Sequence, residues 1–415
     1  MSRSIANIDW LTVFLFLLLV GFGWVNIYSA SLSETSSGIL DFDQVYVKQG
    51  LWIALSLVLI VIVLSIEAKF YERFASIFYI ISMVSLAGLF LFGKKISGAT
   101  SWYDLGFMNF QPTEFAKVGT ALALAKYLSD IQTEMDSFKH HLKAFLIIAI
   151  PAVLILLQPD PGSALIYTAF FFPMYREGLS PYYFIIAISL IILFVLTLLL
   201  GPIWVSLISV AVAILIIIKN YARRPGFLKW GLIALTAVLF VFSVDFIFHN
   251  VFEQRHRDRF NIVLGKEADP RGIGYNTRQS EIALGSGDWF GKGWTQGTQT
   301  KGNFVPEQHT DYIFSTVGEE WGFVGSMIIL VLFVGFMLRL LFLAERQKTQ
   351  FKRAYGYGVV GIFFVHFLIN IGMVIGVLPT IGIPLPFFSY GGSALWGFTI
   401  LLFVFIKLDA ERMNF

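Results

Sequence analysis

Apolar residues fill this chain in long unbroken runs rather than in the narrow stripes of a water-soluble fold. With boundaries a few residues wide, the runs cover 10–30, 48–66, 72–92, 113–128, 142–158, 162–176, 182–200, 203–218, 228–249, 313–343, 354–378 and 390–408. A helix needs about 20 mainly apolar residues to cross a bilayer core, so the pattern predicts about twelve spans. The least regular points are Gln158 to Gly162 and Gly201–Pro202, where Pro and Gly mark a kink or a tight turn. Short loops carry the basic residues alternately: Lys69 and Arg73; Lys126, Lys139 and Lys143; Arg176; Lys219, Arg223 and Arg224; Arg346, Lys348, Lys352 and Arg353. Cytoplasmic loops collect Lys and Arg, which places these loops and both termini inside. The run from Trp10 to Ile27 follows a single basic residue and no small-residue cleavage site, so it reads as a retained span.

Composition agrees with the pattern: 57% of residues are hydrophobic and 14% charged, against about 25% charged in a soluble domain. The expected fold is an all-α integral membrane protein, a polytopic helical bundle of about 10–12 transmembrane helices forming a single membrane domain over 1–415. A net charge of +3 with scattered basic residues gives no stripe for nucleic acid, so none is expected as a partner. The lack of cysteine removes disulfides, thiolate metal sites and thiol catalysis.

Two segments interrupt the apolar pattern, and the alternation puts both outside: Gly93–Gln111, and a long loop over 250–312 rich in Gly and charge. Loops of that length are functional or disordered; Ile282, Trp289, Phe290, Trp294 and Phe304 give this one material to pack. Several polar residues then stand out. Glu114 and Lys117, three apart inside a span, form either a structural ion pair or a substrate-facing one. Asp160, between two prolines, either caps the next span or faces a cavity. Asp311 abuts the run that begins at Tyr312; with Ser315, Gly318 and Gly322 it falls within about 60° of arc on a helix, a small polar face below a carboxylate. The plainer reading is a helix cap above glycines that allow close packing. Arg255, Arg257, Arg259, Arg271, Arg278 and Lys292 suit either a pyrophosphate or ordinary anionic lipid.

Taken together, several segments resemble the SEDS family (shape, elongation, division and sporulation), and its RodA-like branch more than the FtsW-like one. The matching stretches are Phe110 to Lys117, Gln158 to Gly162, Asp269 to Tyr275, Gln279 to Gly287, Gly291 to Trp294, Gly297 to Gln299, His309 to Phe314, Gly318 to Glu320, Asn370 to Met373 and Gly382 to Ser393. The resemblance implies a peptidoglycan glycosyltransferase in the bacterial cytoplasmic (inner) membrane, active on its outer face during cell elongation and shape maintenance. It would use lipid II as donor and acceptor, release undecaprenyl pyrophosphate, and work with a class B penicillin-binding protein, the transpeptidase, and other elongation-complex membrane proteins. It places the catalytic carboxylate on Asp311. Substrate-binding residues are expected at Glu114, Lys117, Asp160, Arg257, Arg259, Gln279, Ser280, Lys292, Gln299, Glu307, His309 and Thr310. No protein metal cage is visible, and a divalent cation (Mg or Mn) is an optional aid to the leaving group. Family members have ten spans, so 182–249 reads as an added pair. The apolar, Pro- and Gly-broken stretch from Gly382 to Ser393 reads as an exposed external loop, with Pro384, Pro386, Phe387, Ser389 and Tyr390 at the partner interface. Two other functions are alternatives: a lipid II flippase, which the charges Glu114, Lys117 and Glu319 or Glu320 would serve, and a non-catalytic scaffold for wall enzymes, for which Asp311 would be dispensable.

Overall fold

The computed structural model describes residues 7–32, 44–96, 98–106, 108–130, 137–219, 227–252, 254–266 and 274–412. Among them, ten helices are long and apolar enough to cross a membrane. The single membrane domain expected from the sequence divides into two compact units, Met1–Leu179 with Asn276–Phe415, and Ser180–Tyr275.

In the first unit, α1 (Trp10–Ser31), α2 (Val45–Ser65), α4 (Ala75–Phe92), α5 (Pro112–Leu128) and α6 (Phe138–Leu156) follow the sequence runs, with short α3 (Ala68–Arg73) between α2 and α4. The run at 162–176 is broken: α7 (Pro161–Leu165), a 3-10 turn (Ile166–Phe170) and α8 (Phe171–Arg176). Pro161 starts it under an Asp160 cap and Pro173 lies in its last piece, so the backbone cannot hold one regular hydrogen-bond ladder. The unit ends with α13 (Tyr275–Ser286), which starts at the unit boundary, α14 (Thr298–Lys301), α15 (Ile313–Glu345), α16 (Gln350–Val374) and α17 (Gly392–Ala410).

The outer segment between α4 and α5 departs from an all-α chain. It forms a small antiparallel sheet, β1 (Lys94–Ile96), β2 (Ala99–Asp104) and β3 (Asn109–Phe110), in the order β1-β2-β3. Ile96, Thr100, Trp102 and Tyr103 are residues that favour strands, and Gly106 turns the chain with its N–H donating to Asp104. Phe110 stacks on Phe115, 4.8 Å between ring centres, and Thr100 N–H donates to Gln158 O. The sheet is thereby fixed to the ends of α5 and α6.

The opposite end of this unit is tied by ion pairs: Arg176 to Glu345 at 2.9 Å, Arg353 to Glu177 at 2.7 Å, Lys407 to Glu411 at 2.8 Å, and Arg346 to Asp409. Within this unit, the basic loops at Arg176 and at 346–353 thus share one end.

The second unit holds α9 (Tyr182–Leu200), α10 (Pro202–Lys219), α11 (Phe227–Asn250) and α12 (Gln254–Val263). Gly201, at φ 85, is the whole connection between α9 and α10, a left-handed position that glycine adopts without penalty. Leu198, Val244 and Phe248 form its core, with Phe194, Phe240, Phe252, Phe260 and Leu264 packed on them. The unit contains the stretch 182–249 read as an added pair of spans.

Candidate functional site

Asp311 lies two residues before the start of α15, whose N-cap is Tyr312. The polar helical face read from the sequence supposed a helix from Asp311; the helix instead starts at Ile313, with Asp311 in the turn before it. Asn370 on α16 holds that loop, its Nδ2 donating to Asp311 O at 2.8 Å and to Ile383 O at 2.7 Å. Beside the carboxylate sits Gly382, at φ 80, where a side chain would begin 3.3 Å from Asp311 Oδ2. Tyr312 points into a hydroxyl cluster with Thr380 at 2.8 Å and Thr277 at 3.3 Å, which fastens α13, the start of α15 and the chain after α16 together.

Electrostatically this corner is acidic. Burial pushes the Asp311 carboxyl from 3.8 up to about 7, and the charges of Glu307 and Asp160 raise it further. A carboxyl at that value takes a proton near neutral pH and releases it again. Asp160 is the cap the plainer reading foresaw: it accepts from Ser163 N at 3.0 Å and Ser163 Oγ at 2.8 Å, and also from Ser101 Oγ at 3.2 Å. Glu307, exposed and at φ 54, accepts from Thr310 Oγ1 at 2.9 Å. His309 packs edge-on against Tyr390, 5.7 Å between ring centres, and its carbonyl accepts from Tyr390 N. Burial pushes its imidazole below the ordinary value, although Glu307 acts in the opposite sense. Asp160, Glu307, His309 and Thr310 are thus gathered around Asp311.

Glu114 and Lys117 are 2.7 Å apart and only 4% and 2% exposed. The Lys117 ammonium donates to Glu114 Oε2, meets His366 Nε2 at 3.0 Å and lies 4.6 Å from the centre of the Phe398 ring. Three donors meet three acceptors, the last an aromatic face. The pair is therefore built into the junction of α5, α16 and α17.

The long loop is anchored by Glu319. Its Oε1 accepts from Lys292 Nζ at 2.9 Å, Gln299 N at 2.8 Å and Thr298 Oγ1 at 3.2 Å; its Oε2 accepts from Thr300 N at 2.9 Å and Thr300 Oγ1 at 2.8 Å. Lys292, expected at a pyrophosphate, is held inside the loop, bonding also to Ser286 and Thr298. Ser280 is fully buried and donates to Val374 O at 2.9 Å, a packing role. Gln279 is part-buried on α13 and Gln299 uses its backbone on Glu319. Arg257 and Arg259 belong to α12 in the second unit, where Arg257 Nη1 donates to His249 O at 3.0 Å. Arg223, Arg224 and Arg271 lie outside the described residues.

One expectation is corrected. The stretch Gly382 to Ser393 is not an exposed docking loop: Pro386, Phe387 and Ser389 are buried, and Pro384 and Tyr390 are partly so. Phe387, 3% exposed, packs against Phe16, Phe363, Phe336 and Phe398 with ring centres 5.0 to 5.9 Å away. Its apolar residues fold back between the helix ends, because burial there removes them from water as effectively as a partner would. His366 and Asn370 were not singled out as site residues. The signal available was two polar residues four apart in an apolar run, hence on one helix face.

The chain matches the FtsW/RodA/SpoVE family model, described as cell cycle protein, over residues 9–414. It is 35% identical over 371 residues to the peptidoglycan glycosyltransferase MrdB of Escherichia coli K12, covering 89% of this chain and 86% of that protein. It is 32% identical over 437 residues to the peptidoglycan glycosyltransferase RodA of Treponema pallidum, covering 99% of each. Among solved structures it is similar to a chain from a peptidoglycan synthase complex studied for its coordination of polymerization and crosslinking. That similarity has a TM-score of 0.71 at 25% identity, over 98% of this chain and 99% of the other. Thermus thermophilus rod shape determining protein RodA matches with a TM-score of 0.63 at 25% identity, over 98% of both chains. The residue pattern, the helical membrane architecture and these matches together place this chain in the FtsW/RodA/SpoVE family, the SEDS family of its sequence motifs.

Proposed function

We propose that this chain is a peptidoglycan glycosyltransferase of cell elongation that polymerises lipid II on the outer face of the bacterial cytoplasmic membrane, with Asp311 as general base. The observation that carries the assignment is the state of Asp311: a half-buried carboxyl raised to about 7, at the mouth of a span and among Asp160, Glu307 and His309. Its proton affinity suits removal of a hydroxyl proton at neutral pH. The acceptor sugar's 4-hydroxyl gives its proton to Asp311, and its oxygen bonds to the donor's anomeric carbon. The bond from that carbon to the pyrophosphate oxygen breaks, and undecaprenyl pyrophosphate leaves with the electron pair. Attack from the opposite face inverts the centre to a β-1,4 link.

Arg257 and Arg259, which the family resemblance marks for substrate binding, carry guanidinium forks of the kind that suit phosphate oxygens, and lie within the second unit. A divalent cation such as Mg or Mn would add neutralising charge; among the described residues no group of three or more His, Asp or Glu could hold one. The ion-paired basic end of the first unit is taken as cytoplasmic, with both termini. The partner class is a crosslinking enzyme of the class B penicillin-binding type, in keeping with the synthase complex that a similar chain belongs to.

Purified full-length protein, reconstituted with labelled lipid II, should form glycan polymer in the parent and not in Asp311→Asn. Leaflet transfer of lipid II without polymer would point to a flippase, and neither activity to a scaffold.

A further inference from the structure

On α16, His366 and Asn370 stand one turn apart and face the same way, toward the chain after that helix. Asn370 bridges two carbonyls, Asp311 O and Ile383 O. Only the amide nitrogen can serve both, which fixes its orientation. His366 Nδ1 lies 3.2 Å from Pro384 O, and its Nε2 lies 3.0 Å from Lys117 Nζ. A carbonyl accepts only and an ammonium donates only, so the ring is the neutral Nδ1–H tautomer, donating to Pro384 and accepting from Lys117. The ring is also wedged edge-on against Phe398 at 4.8 Å. These two grips hold the end of the segment Ile381–Pro384, which carries Gly382 against the Asp311 carboxylate and Ile381 against Gly162, two residues from Asp160.

We infer that His366 and Asn370 are positioning residues: they clamp the segment Ile381–Pro384 onto Asp311, and His366 ties that clamp to the Glu114–Lys117 pair. This rests on the reading of Asp311 as the base. Neither residue touches the reacting atoms. Their work is to hold a backbone wall beside the carboxylate, so that it keeps its distance from the substrate hydroxyl and its shelter from water. A displacement of about 1 Å at such a site costs on the order of 100-fold in rate. The wall also maintains the burial that raises Asp311, with Glu307 and Asp160 adding to it and His309 facing from the same loop. Loosening it lets water in and lowers the value.

The test uses the full-length chain reconstituted with labelled lipid II, with kcat and KM measured from about pH 5.5 to 8.5. His366→Phe keeps an aromatic ring, somewhat larger, but removes both polar contacts. It should lower kcat about 10- to 100-fold with little change in KM, and should move the acid limb of the rate profile to lower pH. His366→Gln retains one donor and one acceptor and should recover to within about threefold of the parent. Because His366→Phe also strands the Lys117 ammonium, Asn370→Leu tests the same clamp without touching the ion pair, and should show the same loss and the same shift of the limb. Parent kcat and profile in both His366→Phe and Asn370→Leu, with Asp311→Asn inactive, would overturn the inference and leave the base assignment standing. Equal losses in His366→Gln and His366→Phe with an unmoved acid limb would also overturn it, since packing alone would explain them. Parent-like polymerisation by Asp311→Asn would instead remove the base reading.

Discussion

Replacing Asp311 by Asn should abolish polymerisation and, at the same time, stabilise the fold above neutral pH. A carboxyl raised from 3.8 to about 7 is more easily protonated folded than unfolded. Below about pH 4 both states hold the proton, and Asp311 adds no pH dependence. Between about pH 4 and 7 only the folded state holds it, so stability falls as pH rises, and above about 7 the loss is complete. At 1.36 kcal/mol per pH unit the full difference is about 4 kcal/mol; partial solvent contact screens it, and about 2 to 4 kcal/mol is expected. Asparagine keeps the shape and does not titrate, so the variant escapes this cost. Thermal unfolding of parent and Asp311→Asn in the same detergent at pH 5 and pH 8 should show a small advantage for the variant in the acid buffer, where the lesser part of the cost has set in, and a midpoint several degrees higher for it in the alkaline one. Polymerisation of labelled lipid II by the variant should fall about 100- to 10,000-fold, the usual worth of a general base. Parent polymerisation should rise with pH to a plateau above about 7 and lie about tenfold lower one unit below the midpoint. Identical pH dependence of the two unfolding midpoints would refute the buried, raised carboxyl, and parent-like polymerisation would refute its role.

Lys117→Ala strands the buried Glu114 and should cost about 3 to 5 kcal/mol of stability, whereas Glu114→Gln with Lys117→Met should recover much of it; unfolding midpoints in detergent check both. Gly287→Ala places a methyl 1.9 Å from Gly318 O and should loosen the long loop, read as faster proteolysis between residues 287 and 302; parent-like resistance would contradict the packing. A photocrosslinker at Phe387 should capture no partner, since that ring is enclosed by Phe16, Phe336, Phe363 and Phe398; efficient capture of a crosslinking enzyme would contradict the buried segment. In this thiol-free chain, a cysteine at position 288 should react with an external reagent and one at position 223 should not; the reverse would invert the topology.

The sequence made the spans legible because a bilayer demands length and apolarity, and both can be counted. Asp311 was legible for a related reason: a carboxylate at the edge of an apolar run has to be accounted for. The Glu114–Lys117 spacing was enough to foretell an ion pair, but not that His366 and Phe398 would complete it, since those partners lie 249 and 281 positions further along the chain. The stretch Gly382 to Ser393 was misread because apolarity says that residues avoid water and does not say whether a partner or the protein's own bundle removes them. The partners of Lys292 and Ser280 were not legible either: as single polar residues in a long loop they looked free, and only the fold reveals that they bond to Glu319 and Val374 O.

The least legible feature is the break in α15, which lies inside one unbroken apolar run. Gly322, at φ 66 and ψ −163, is in a conformation that only glycine takes at low cost, and the helix ladder stops there. A broken helix in a membrane leaves carbonyls and N–H groups that no lipid can satisfy. The long loop supplies the partners: Lys292 N and Gly293 N donate to the carbonyls of Glu319 and Glu320, while Phe323 N and Val324 N donate to Asp288 O and Trp289 O. Gly287 and Gly291 are what allow the two backbones so close, since a side chain at either would meet the carbonyl of Gly318 or Glu320 about 2 Å away. The break and the loop therefore require each other: without the loop the backbone of α15 is unsatisfied, and without the break the loop has no seat. Since α15 begins two residues after Asp311 and the Glu319 side chain fixes Lys292 and Thr298–Thr300 from the same turn, this mutual repair sets the height and direction at which the chain presents Asp311. A membrane helix interrupted at residue 322 is thus the seat that fixes the loop from Gly287 to Thr300 on the way to Asp311.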